Sequence, residues 1–363
     1  MNPPSAAHLL AGLGWTDDRA AEFAPLAEAG LTPARIARVD RGRCDVLLAD
    51  PDTGELRTVR TDSRPVTGPD PVDGPCTGDW AAVDLAAAPL PTVDALLHRT
   101  TAVVRKASGG RSDGQVLAAN VDTVLIAVSL ALDPDLGRIE RFLALAWESG
   151  AEPVVVLTKA DLVDDADHIR SDVERIAPGV PVLVVSATTG QDIDVLRACL
   201  PGSSALIGQS GAGKSTLTNA LAGRDAMTVR QTRDSDGKGR HTTTTRELIT
   251  LPGGGLVIDT PGLREVGLYG GDGLGRAFAE IEELAERCRF DDCGHHTEPG
   301  CAVQAALADG TLPHRRMESY LKLQKESAWI ARRSDARLRK EQLQKWKTLS
   351  RSMRGPNSPT RYR

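Results

Sequence analysis

The stretch LIGQSGAGKSTLTNAL, residues 206–221, decides how this chain is read. Its core, Gly208-Gln209-Ser210-Gly211-Ala212-Gly213-Lys214-Ser215, fits the phosphate-loop pattern and runs on through Thr216. An apolar strand pattern precedes it and a helical pattern follows. The glycines let backbone N–H groups approach phosphate oxygens, and the helix offers its positive N-terminus to the same phosphates. In that frame Lys214 reaches the β- and γ-phosphates and the Ser215 hydroxyl binds Mg²⁺. Such a loop ordinarily opens its domain, yet more than half of the 363 residues precede it.

Working outward, the strand that ends before the loop is one of several. DTVLIAVSL, PVVVLTK, PVLVVSA, SALIGQS and GLVIDTP, beginning near Asn120, alternate with RIERFLALAWESG, DADHIRSDVERIA, IDVLRACL and STLTNALAG. Near-continuous apolar strands with helices between them predict a parallel sheet covered on both faces. Upstream, ARIARVD, CDVLLAD, ELRTVRT, DWAAVDL and TAVVRKA read as about five short strands separated by turn signals, a small barrel of the OB type. Residues 1–32 read as weakly helical, and the pattern after Gly271 is helical around a Cys/His cluster.

Two motifs name the base. Thr158-Lys159-Ala160-Asp161 follows an apolar strand and resembles the guanine-reading motif, in which Thr158 stands where Asn is usual. A buried carboxylate at Asp161 accepts from two guanine N–H donors that adenine lacks, a discrimination of ~10⁴. The stem of Lys159 covers the base plane. Ser186-Ala187 resembles the companion turn whose N–H meets guanine O6. Further on, Asp259-Thr260-Pro261-Gly262 ends another strand. There Asp259 holds Mg²⁺ through water and the Gly262 N–H senses the γ-phosphate. Between these lies GRHTTTTREL, in which Thr243 or Thr244 completes the Mg²⁺ shell. Leu263 occupies the position where many GTPases place a water-orienting Gln. Slow hydrolysis is therefore expected, with His241 the candidate catalytic residue and a partner supplying or ordering the missing element.

Cys288, Cys293 and Cys301, with His295 or His296, form a set suited to tetrahedral Zn²⁺ in a closed structural site. The other three cysteines are scattered, so no disulfide framework is expected. The N-terminus does not read as a secretory signal, and the longest apolar run, VLIAVSLAL, is too short to span a membrane. A cytoplasmic chain follows. Residues 313–363 carry a net charge of +11 and the remainder −16, within a total of −5. The basic segment 315–347 reads as a helix covered with Arg and Lys that contacts RNA backbone. Aromatic residues make up only 3% of the chain, so structured RNA is a better target than unstacked bases.

GTPases usually run phosphate loop, switch threonine, Asp-x-x-Gly, base reader, Ser-Ala turn. Here the base reader (158) and the Ser-Ala turn (186) come first, then the loop (208), the threonines (243–244) and Asp-x-x-Gly (259). The cyclic order is kept and the cut has moved, which close-lying termini tolerate. In this order TKAD, GQSGAGKST, GRHTTT, DTPG and CRFDDCGHHTEPGC resemble one family, the circularly permuted small-ribosomal-subunit biogenesis GTPases (RsgA, YjeQ). The resemblance implies a multidomain chain. An OB-type, RNA-binding β-barrel would occupy 1–100, a circularly permuted P-loop α/β GTPase 101–270, and a mostly helical zinc-binding domain 271–363. It favours His295 over His296 as zinc ligand and implies catalysis by His241. It also implies GTP hydrolysis to GDP during late maturation of the small subunit, with 16S rRNA as partner and a monomeric protein. A transporter-type ATPase shares QSGAGKSTL, but the chain has no LSGGQ and such an enzyme has no role for Asp161. A non-catalytic RNA-binding factor and a GTPase with another client are the remaining alternatives.

Overall fold

The structure is a computed structural model. It describes residues 6–50, 53–106, 114–200, 202–225, 246–263, 266–268 and 272–329. Helices α1 (Ala6–Gly12) and α2 (Asp17–Glu28) precede a barrel of β1 (Thr32–Asp40), β2 (Arg43–Ala49), β3 (Leu56–Asp62), β4 (Trp80–Asp84) and β5 (Thr92–Leu96). Pairings β1–β2, β2–β3, β3–β5, β5–β4 and β4–β1 close the ring. Alternation along β2 puts Cys44, Val46 and Leu48 inside, against Ile36, Val83 and Val93.

One strand expectation is corrected. TAVVRKA is not in the barrel; it forms β6 (Ala102–Lys106), which pairs with β7 (Gly114–Ala119) as a separate hairpin. The fifth barrel strand is TVDAL, whose short, weakly apolar pattern follows a Pro-rich turn and gives little period-2 signal.

The central sheet uses β8 (Thr123–Ser129), β9 (Glu152–Thr158), β10 (Val182–Val184), β11 (Ser203–Gly208), β12 (Glu247–Thr250) and β13 (Leu256–Asp259). Its order is β10-β9-β8-β11-β13-β12, parallel except for β12. Helices α3 (Leu136–Glu148), α4 (Ala166–Ile176) and α5 (Ile193–Ala198) connect consecutive parallel strands, and α6 (Lys214–Ala222) follows β11. Strand β11, which leads into the phosphate loop, is central, so every motif after a neighbouring strand emerges at the same carboxyl edge. The barrel joins this sheet where Arg38 of β1 pairs with Glu247 of β12. Buried Arg35 locks the junction, donating to Ser203 Oγ at 2.8 Å and to the Asn120 carbonyl at 2.6 Å.

The C-terminal region consists of α7 (Asp272–Ala277), α8 (Ala279–Ala285), α9 (Ala302–Ala308) and a helix over 314–329, α10. It docks on α3 around a fully buried carboxylate. Glu140 accepts from Arg316 at 2.8 Å, from Arg315 at 2.7 and 3.1 Å, and from Ser319 at 2.5 Å. Arg316 also reaches Glu280 and lies over the Phe278 ring. Within the segment 315–347, read as a helix with Arg and Lys on much of its surface, Arg316 is buried and exposed Arg315 reaches the same buried carboxylate, a charge the sequence does not advertise. Residues 330–363 lie outside the described residues.

Candidate GTP site and metal centre

At the carboxyl edge of the sheet, Gly213 adopts φ +80°, a left-handed turn that only glycine takes cheaply, and so starts α6. The next residue, Lys214, is buried, and its ammonium donates to the carbonyls of Gly208 (3.0 Å) and Gln209 (2.9 Å). Burial lowers its pKa to about 8. Ser215 Oγ lies 3.0 Å from Asp259 Oδ2. Asp259 is fully buried, and its Oδ1 has no hydrogen-bond partner among the described residues. Burial raises its pKa to about 6, with Lys214 and the Ser215 hydroxyl pulling the other way. An orphaned, enclosed carboxylate oxygen beside a hydroxyl is a hard-oxygen pair of the kind a Mg²⁺ ion takes.

Gly262 touches the loop. A side chain there would meet Ser210 Cα at 2.7 Å, so no larger residue fits. Leu263 is buried and donates its N–H to the Gly208 carbonyl at 3.0 Å. A leucine so enclosed cannot orient water. His241, Thr243 and Thr244 lie outside the described residues.

The base-reading residues surround a cavity of about 290 Å³, lined by Thr158, Lys159, Asp161, Ala187, Gly213 and Thr216 among others. Lys159 sits in the left-handed region at φ 63°, turning the chain sharply at the end of β9. Ala160 behind it is buried, its N–H bonded to the Val185 carbonyl. Thr158 keeps the tether despite its shorter side chain: its hydroxyl donates to Ala212 of the phosphate loop at 2.8 Å. Asp161 departs from expectation. It is exposed rather than buried, with Ser186 Oγ donating to its Oδ1 at 2.6 Å. It stands at the cavity mouth, where a base would cover it. The Ser186 N–H is taken by the Gln191 carbonyl, so of this pair it is Ala187 that lines the cavity.

Sequence reading missed a second cavity of about 510 Å³. It lies between Gln209–Ala212 and the Ser129–Asp135 connection into α3. No motif marks that connection; it becomes part of the site only because β8 is the neighbour of β11.

Between α8 and α9, Cys288, Cys293, His295 and Cys301 bring their ligand atoms within 4.8 Å of one another and could hold a metal ion. Cys288 Sγ lies 3.8 Å from Cys301 Sγ and 3.6 Å from His295 Nδ1; Cys301 Sγ is 3.5 Å from the same nitrogen. His295 reaches inward from φ 58°. His296 is exposed, and its N–H goes to Glu298. Glu298 organises this loop. Its own backbone N–H, then those of His296, Gly294 and Thr297, hold its carboxyl down to about 2.

Fold and site together define a circularly permuted P-loop GTPase, an enzyme that hydrolyses GTP. A sequence model of the RsgA GTPase family matches residues 96–269. A protein of Streptomyces coelicolor called small ribosomal subunit biogenesis GTPase RsgA is 58% identical, over 92% of this chain and 90% of its own. One of the same description from Opitutus terrae is 44% identical, over 95% and 97%. YjeQ from Thermotoga maritima superposes with a TM-score of 0.60 at 28% identity, covering 82% of this chain and 99% of its own. YloQ, described as a circularly permuted GTPase, gives 0.58 at 25%, covering 82% and 95%. The chain belongs to the RsgA GTPase family. Among the described residues, no helix is long and apolar enough to cross a membrane.

Proposed function

We propose that this chain binds GTP with Mg²⁺ at the sheet edge, hydrolyses it slowly, and acts on the small ribosomal subunit during its late maturation and the release of assembly factors. The observation that carries the reading is convergence. Thr158–Asp161, Gly208–Thr216 and Asp259–Gly262, in permuted order along the chain, meet around one cavity and one loop.

Each residue has a role in this reading. Asp161 accepts from the guanine N–H donors, Lys159 covers the base, and Ala187 at the Ser186 turn meets O6. The loop amides and Lys214 hold the phosphates, while Ser215 and Asp259 hold Mg²⁺ with Thr243 or Thr244. The Gly262 N–H senses the γ-phosphate, and His241 serves catalysis where Leu263 cannot. In the C-terminal cluster the ion is Zn²⁺. A tetrahedron with Zn–S bonds of about 2.3 Å has S···S edges of about 3.8 Å and slightly shorter S···N edges, which the spacings among Cys288, Cys301 and His295 match. The working units are 1–100, 101–270 and 271–363; the barrel and the basic tail contact 16S rRNA. The protein acts as a cytoplasmic monomer. The names of the relatives from Streptomyces and Opitutus support the ribosomal client.

The test is turnover of GTP and of ATP, with and without isolated small ribosomal subunits, at one fixed salt. Expected is slow GTP turnover strongly stimulated by the subunit, with ATP inert. Turnover indifferent to the subunit would remove the client, and His241→Ala with full stimulation would remove that residue from catalysis.

A further inference from the structure

The segment of chain that leaves the Asp-x-x-Gly motif is gripped by three different elements. The Leu263 N–H goes to the Gly208 carbonyl of the phosphate loop at 3.0 Å. Three residues on, the Val266 carbonyl accepts from Arg141 Nη1 of α3 at 2.8 Å. The Gly267 carbonyl accepts from the Lys106 N–H of β6 at 3.0 Å, and Leu268 forms a bridge with Arg105. Val266 and Leu268 are buried.

Two of these grips are in turn held by α10. The same Arg141 nitrogen donates to both oxygens of Glu326, at 2.8 and 2.7 Å. Three residues later, the Trp329 ring lies against the Lys106 ammonium, 4.1 Å from the ring centroid. Arg316, Ser319, Leu323 and Glu326 recur at helical spacing. The face of α10 that carries Arg316 and Ser319 to Glu140 therefore also carries Glu326 to Arg141.

The side chains of Arg141 and Glu326 are only 18% and 29% exposed, so solvent and salt screen the pair less than a surface pair. An ion pair that only docked two helices would need nothing beyond its carboxylate. Here one guanidinium nitrogen also holds a main-chain carbonyl of a third element, and that element is the exit of the switch. A guanidinium fixed by a carboxylate on one side presents a preset donor on the other. Val266 is four residues from Gly262, a reach of at most about 14 Å. With Leu263 buried and bonded between them, a shift of Val266 bears on Gly262.

We propose that Arg141 is a positioning residue for GTP hydrolysis. It fixes the exit of the Asp-x-x-Gly segment, and Glu326 fixes Arg141, so the seating of α10 on α3 governs where Gly262 stands. This rests on the reading of Gly262 as the γ-phosphate sensor. Without Arg141 the sensor spends part of its time out of reach of the γ-phosphate. Affinity and turnover for GTP fall by that fraction, while GDP, which has no γ-phosphate, is bound as before.

The experiment uses the full chain and the variants Arg141→Gln, Glu326→Ala and their combination. GDP and a non-hydrolysable GTP analogue are titrated, single-turnover GTP hydrolysis is timed, and each protein is melted. Arg141→Gln should bind the analogue about tenfold more weakly, with GDP within about twofold, and turn over about tenfold more slowly. Glu326→Ala should move the same ratio the same way by about threefold. The double variant should match Arg141→Gln, because Glu326 acts through Arg141. A docking role alone would lower the melting temperature and leave the analogue-to-GDP ratio at its wild-type value; that result overturns the proposal. A double variant whose loss is the product of the two singles overturns it as well. If Arg141→Gln does not fold, the ratio measured on Glu326→Ala decides. Gly262→Ala tests the underlying reading separately: if it binds analogue and GDP in the wild-type ratio, Gly262 is no sensor, whatever Arg141 does.

Discussion

The nucleotide site and the Cys/His cluster are built in opposite ways. Residues around the nucleotide site come from Ala127 to Leu263 and are held by five neighbouring strand ends. The four candidate metal ligands come from Cys288 to Cys301, a span of loop between the ends of α8 and α9. The first is braced by a buried sheet, with Thr158, Lys214 and Leu263 each bonded to loop carbonyls. The second has little apolar content of its own; Phe290 within it is exposed. Sheet-built sites keep their shape through backbone pairing, whereas short loops depend on what their side chains hold.

The largest effect expected from this contrast is loss of the metal. With the proposed zinc in the cluster, Cys301→Ser or chelation should remove about 10 kcal/mol of metal-binding free energy. Cys301 also caps α9, its Sγ accepting from the Gln304 N–H. The C-terminal unit should unfold while GTP affinity stays within about threefold of wild type. Metal content, a thermal melt and a GTP titration check this. A melt indifferent to chelation would erase the contrast.

Next comes the base. Asp161→Asn replaces an acceptor by a donor and should weaken GTP by ~10⁴. Because Asp161 is exposed, the melting temperature should hardly move. Parallel binding and melting curves separate the two, and a large drop in melting temperature would make Asp161 structural instead.

Glu140 joins the two regions. Glu140→Gln leaves Arg316 buried with a weakened partner and should cost about 3 kcal/mol. Urea unfolding measures it. A cost below about 1 kcal/mol would mean that the apolar contacts of α7 and α10 alone seat the C-terminal unit on α3.

Acidity gives a smaller, graded effect. The Asp259 pKa is raised from 3.8 to about 6, chiefly by burial. The folded chain thus holds this proton longer than the unfolded chain does. The stability that follows is present below about pH 4 and is lost as pH rises through about 6. Cation binding has the opposite sign, because Mg²⁺ needs the carboxylate. Mg²⁺-dependent GTP affinity should fall up to about tenfold per unit below pH 6. Titrations at pH 5, 6 and 7 test this; a flat profile would take Asp259 out of the cation's shell. Last, Thr158→Val removes one hydroxyl bond to the phosphate loop, worth about 1 kcal/mol, and should appear as a GTP affinity several-fold weaker. Thr158→Asn should restore it.

The sequence alone carried the motifs, their permuted order and the metal-ligand spacing. Each depends on residue type at short range: glycines before Lys214-Ser215, Asp161 three residues after Thr158, and cysteines within fourteen positions. It also carried the apolar strands, because a sheet buried on both faces must be apolar throughout. Tertiary structure alone decided what depends on distant neighbours. TVDAL became the fifth barrel strand because β3 and β4 need a partner between them, while TAVVRKA left for β7. The exposure of Asp161, the reach of Thr158 to Ala212, and the pairing of Arg315 and Arg316 with buried Glu140 all depend on residues far off in the chain. Charge and hydroxyl groups are visible in a sequence; whether they are buried, and against what, is a property of the packing.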